Sequence, residues 1–90
     1  MDHNSLPELR HIQSLSNNGA CIKLPDGTKE PITIDFYRRA VEQCEKGGFN
    51  AVTYDLELPG IEGEFMIAIW RSGHVDSGTT KRIIDCLAQY

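Results

Sequence analysis

Several groups of residues in this ninety-residue chain have the types and spacing to do chemistry. The first is the run Gly73-His74-Val75-Asp76-Ser77-Gly78-Thr79-Thr80, between an apolar segment and a helical pattern. A phosphate-binding loop of the form GxxxxGK[ST] sits in the same setting, with backbone amides around the phosphates and a lysine reaching them. Thr79 stands where that lysine belongs, so nucleotide hydrolysis is not expected. A milder role is anion binding by Ser77, Gly78 and Thr79 at the helix start, with Lys81 and Arg82 beside them. An ordinary capped helix start, with Asp76, Ser77 or Thr79 as the cap, accounts for the same residues.

A second group would be a thiol site. Cys44 or Cys86 would need His74 as base and Asp76 or Asp55 to orient the imidazole. Both thiols fall on apolar helical stripes, and thiols in apolar surroundings are poor nucleophiles. The third cysteine, Cys21, makes the count odd, and no two cysteines approach CxxC spacing. Asp55, Glu57, Glu62, Glu64, His74 and Asp76 could in principle hold a metal, but their spacing matches no metal motif. The expectation is therefore no catalytic residue, no metal and no cofactor.

The same carboxylates support a different reading. Asp55, Glu57, Glu62 and Glu64 cluster on or beside one hairpin, and Asp26 and Glu30 lie on another. An acidic surface steers a protein onto a basic partner, such as the surface of an enzyme that handles nucleic acid. Solubility and protection of sheet edges are the plainer roles for such charges. The net charge of −4 runs against nucleic acid as the direct ligand, because phosphate binding favours a basic excess. Arg38-Arg39 and Lys81-Arg82 would form one small basic patch if their helices were neighbours. Trp70 is nearly the only aromatic on the expected outer sheet face, too little for base stacking.

The elements that must position these groups follow from periodicity. Leu6, Leu9, Ile12 and Leu15 recur at helical spacing after Ser5-Leu6-Pro7-Glu8, which reads as a capping box. Asn17-Asn18-Gly19 stops that helix. Residues 20–24 and 29–34 read as a hairpin about Asp26-Gly27, with Pro31 placing the second strand on a sheet edge. Asp35 is the expected cap of a helix over 36–46, which buries Phe36, Ala40, Val41 and Cys44 and ends at Gly47-Gly48. Residues 49–58 alternate, with Val52, Tyr54, Leu56 and Leu58 on one face and Ala51, Thr53, Asp55 and Glu57 on the other. Residues 65–71 are apolar on both faces. That strand is either central and covered on both sides, or it shows Met66 and Trp70 to a partner. Residues 72–79 read as a polar loop. A last helix over 80–89 turns Thr80, Ile83, Ile84 and Leu87 inward.

These elements give a single α+β domain over residues 1–90, in the order α-ββα-ββα. Four strands make a mainly antiparallel sheet, with helices mostly on one face. Lys23-Leu24-Pro25 and Glu57-Leu58-Pro59 each precede a turn, a strand and a helix, which suggests a ββα duplication. Hydrophobic residues at 40% and charged residues at 24% suit a globular chain, and ninety residues support only a thin core. Met1-Asp2-His3-Asn4-Ser5 lacks the basic and apolar regions of a signal peptide, and no apolar run is long enough for a membrane span. The expectation is a cytoplasmic, non-catalytic interaction module, an acidic adaptor or inhibitor. Its partner would be a protein with a basic surface. A homodimer is the further partner, nucleic acid or a phosphate ligand the alternative, and a small thiol or metal enzyme third.

Overall fold

The computed structural model describes residues 7–89. Among the described residues, three helices pack on a five-stranded antiparallel sheet. In chain order these are α1 (Pro7–Asn17), β1 (Cys21–Lys23), β2 (Lys29–Pro31), α2 (Ile34–Gly47), β3 (Ala51–Glu57), β4 (Phe65–Trp70), β5 (Val75–Thr79) and α3 (Thr80–Gln89). The sheet order is β2-β1-β3-β4-β5, so β4 has a strand on each side and β2 and β5 are the edges. Ser5 and Leu6 of the expected capping box lie outside the described residues.

The doubly apolar β4 organises the molecule. Its odd-numbered side chains, Ile67 and Ile69, face one side, and its even-numbered Ala68 and Trp70 face the other, because strand side chains alternate. The first side needs the larger cover. Ile12 of α1 and Phe36 and Ala40 of α2 close over Ile22, Leu56, Ile67, Ile69 and Val75 there. The second side receives only Ile83 of α3, with Leu87, Met66 and Ala51 half-buried around it. Two helices therefore lie on one face and one on the other, and β4 is an interior strand covered on both faces.

Four expectations need correction. The sheet has five strands, because residues 75–79 pair with β4 from Ile69↔Val75 to Phe65↔Thr79. This strand buries only Val75, and an edge strand with one wet face can carry Asp, Ser, Gly and Thr without the alternation that marks strands in sequence. The cap of α2 is Thr33, in extended geometry, whose hydroxyl accepts from the Phe36 amide at 3.0 Å. Asp35 sits instead in the first turn, where a carboxylate complements the helix dipole. Ile84 is 52% exposed and does not join Ile83 inside. The two basic pairs form no common patch, since α2 and α3 lie on opposite faces. Arg39 binds Glu30 at 2.9 Å, and Arg82 binds Asp76 at 2.8 Å. The second half of the chain also carries three strands where the first carries two.

Candidate partner-binding surface

α3 is one helix of ten residues and lies mainly over β4 and β5, with Ala51 at the start of β3 at its margin. Among the described residues, no helix lies above the same face of β2, β1 and the Asp55–Glu57 end of β3. The strand registers place Lys29, Lys23, Asp55, Met66 and Gly78 in one row across this face. Cys21 and Glu57 stand beside each other in the next row. Asp55 is exposed and Glu57 half-buried. Lys29 reaches over β1 to bind Glu57 at 2.9 Å. A shallow depression of about 310 Å3 runs between Lys23, Thr53, Asp55 and Met66. A larger one of about 530 Å3 opens at the other end of α3, between Asn50, Ala51, Arg71 and Leu87.

The β3–β4 connection extends the acidic surface. Glu62 and Glu64 are exposed there. Leu58-Pro59-Gly60-Ile61 forms a tight turn in which the Ile61 amide donates to the Leu58 carbonyl at 3.2 Å. Proline at the second position and Gly60 at φ 77° at the third are the signature of a type II turn. Pro59 also stands against Gly19, where an added Cβ would lie 3.5 Å from the proline ring. This turn holds Ile61, 59% exposed, at the tip of the hairpin among the carboxylates. No periodicity in the sequence singles out Ile61. The Pro-Gly pair is the signal that could have found it, since it identifies the turn that displays the side chain.

The other predicted residues fall elsewhere. Trp70 is only 4% exposed and lies beside the His74 ring, with centres 4.9 Å apart and planes tilted by 52°. It belongs to the smaller core, and Met66 is half-buried at its margin. Ser77, Gly78 and Thr79 lie in β5. Several amides of this segment already have acceptors: Ser77 donates to Asp76 Oδ1 at 2.8 Å, Thr80 to the Glu64 carbonyl at 3.0 Å, and Arg82 to Thr79 Oγ1 at 3.3 Å. Arg82 is committed to Asp76, while Lys81 is exposed. Among the thiols, Cys44 is fully buried and donates to the Ile69 carbonyl at 3.7 Å. Burial pushes its pKa up, away from the reactive thiolate. Cys86 is half-buried against Asp76 Oδ2 at 3.6 Å. Among the described residues no group of three or more His, Cys, Asp or Glu side chains is placed to hold a metal ion. No helix among them is long and apolar enough to cross a membrane.

One polar contact was invisible in the sequence. His11 Nε2 of α1 and the Ser77 hydroxyl of β5 share a hydrogen bond at 2.7 Å, across 66 positions of chain. Burial pulls the His11 pKa below its ordinary 6.5. Asp76 opposes this, while Arg82 and His74 reinforce it. The unfolded chain therefore binds more protons just below pH 6.5 than the folded chain does. Stability should rise with pH through that window and fall as the pH drops from 7.5 towards 5. Chemical denaturation at several pH values checks this. His11→Gln should flatten that part of the profile, and parallel profiles for the two proteins would remove His11 as its source. Comparison of the sequence and the fold with known proteins finds no matching family model, curated relative or solved structure.

Proposed function

We propose that this chain is a non-catalytic protein-interaction module, a small acidic adaptor or inhibitor, that docks through the uncovered sheet face and the adjoining hairpin tip. The supporting observation is the coincidence of two features. The half of the sheet face that α3 leaves open is also where Asp55 and Glu57 stand, and Glu62 and Glu64 continue the acidic surface along the β3–β4 connection. Lys23 and Lys29 interrupt it in the row with Asp55, and Lys29 is spent on Glu57. The partner is a protein with a basic surface, such as the nucleic-acid-binding channel of an enzyme, where carboxylates stand in for phosphates. Ile61 supplies an apolar contact inside the charged rim, the usual division of labour in an interface.

The test is affinity capture from the source cells with the wild-type chain and with a variant reversed at Asp55, Glu57, Glu62 and Glu64 to lysine. The wild type should retain a basic protein. The variant should lose it, with affinity falling at least about tenfold, since charge juxtaposition of the wrong sign costs several kcal/mol. Raising the salt should weaken the wild-type complex, because exposed charges are screened within a Debye length of about 8–10 Å. A partner held equally well by the reversed variant would refute this surface. Retention of short oligonucleotides, lost on substitution of Lys81 and Arg82, would favour nucleic acid instead.

A further inference from the structure

β5 is an outer strand, and its free side carries a different arrangement. The Trp70 amide donates to the His74 carbonyl at 2.8 Å, and the Thr80 amide donates to the Glu64 carbonyl at 3.0 Å. These bonds set the phase of the β4–β5 ladder. Hydrogen-bonded pairs alternate along an antiparallel ladder, so Val75, Ser77 and Thr79 turn their backbone N–H and C=O groups away from β4. Such an outward row is a template for another strand.

At Ser77, in the middle of the row, both groups are occupied by side chains. The N–H donates to Asp76 Oδ1 at 2.8 Å, and the Arg82 guanidinium donates to the carbonyl. Arg82 also grips Asp76 through bonds of 2.8 and 3.1 Å. Gly78 makes room for this. A Cβ at that position would lie 2.6 Å from Arg82 Nε, so the guanidinium lies where a side chain would otherwise stand. Glycine weakens a strand interior, and the passage of Arg82 is the reason for it here. The opposite edge is blunted differently. The Ile32 amide donates to the Ala20 carbonyl and the Leu24 amide to the Thr28 carbonyl. Pro31 therefore takes an outward position of β2, where its missing donor leaves a gap.

The β5 sequence is self-complementary about Ser77. Antiparallel pairing of two copies would set Ser77 opposite Ser77, Val75 opposite Thr79, and Asp76 opposite Gly78. No like charges would meet, and the outward backbone groups would face one another. We propose that Asp76 and Arg82 form a lock on the β5 edge, and that the partner it holds off is β5 of a second copy of this chain. With the lock open, the two sheets join edge to edge. This does not rest on the acidic-surface reading, which concerns the open face of β3, β1 and β2 and the β3–β4 connection.

The test is molar mass by light scattering over a wide range of concentration, with far-UV circular dichroism to confirm folding. The wild type should run at the monomer mass of 10.1 kDa. Arg82→Ala removes the guanidinium, and Gly78→Ala displaces it while leaving Arg82 in the chain. Each should double the mass at high concentration. If Arg82→Ala does not fold, Gly78→Ala decides. Ser77→Pro added to either variant should restore the monomer, since it removes an outward donor that the ladder to β4 does not use. Folded variants that stay monomeric would overturn the lock. So would a dimer that persists with Ser77→Pro, or a wild type that is already dimeric.

Discussion

Trp70→Ala should destabilise the protein by about 3–5 kcal/mol, the range for removing a buried tryptophan from a packed core. Trp70 is 4% exposed and forms the smaller core with Ala68 and Ile83. That core is the apolar part of what attaches α3 to the sheet, beside the polar contacts of Arg82 and Cys86 with β5. A helix of ten residues is too short to persist alone in water. Truncating Trp70 therefore removes apolar area and also weakens the docking of the whole helix. Small domains hold only about 5–15 kcal/mol in total, so the loss takes a large share. Urea denaturation followed by circular dichroism measures it, and hydrogen exchange in α3 should speed up before that in β4. A change within about 0.5 kcal/mol, the usual effect of a surface substitution, would mean that Trp70 is a contact residue instead.

Ile67→Ala should cost about 2–5 kcal/mol and Ile67→Val about 0.5–1.5 kcal/mol. Ile67 is fully buried at the middle of β4, opposite Tyr54 on one side and Ser77 on the other. It belongs to the larger core with Ile12, Ile22, Phe36, Leu56 and Ile69. These side chains come from two helices, two other strands and β4 itself, so the cavity has few ways to collapse. Ile67 and Trp70 lie on opposite faces and three residues apart, about 10 Å along a strand. Their mild substitutions, Ile67→Val and Trp70→Phe, should therefore add to within about 0.5 kcal/mol in thermal or chemical denaturation. A larger interaction would show that the sheet does not separate the two cores.

Some of this was legible in the residues before any coordinates. The stripe Phe36, Ala40, Cys44 gave the buried face of α2, and the alternation Val52, Tyr54, Leu56 gave β3, because each pattern repeats over enough positions to outweigh chance. Pro31 pointed to an edge, and the ladder agrees, since a proline can stand where its absent donor would face outward. β5 was not legible. It has one buried side chain, and what makes it a strand is backbone pairing to β4, which leaves no mark on its own side chains. Thr33 lost to Asp35 as the expected cap because both residue types suit that place, and only the chain's approach from β2 selects between them.

The candidate surface divides in the same way. Local sequence was enough to put Asp55 and Glu57 on one face of a strand, since side-chain alternation is a property of the backbone alone. Whether that face would be open depended on where a single short helix came to rest. Trp70, Ala68 and Ile83 draw α3 over β4, and among the described residues nothing covers the same face of β2, β1 and the Asp55–Glu57 end of β3. The contacts His11–Ser77 and Arg82–Ser77 likewise exist only because folding brings distant or oppositely turned groups to one edge, and no periodicity within a segment carries that information.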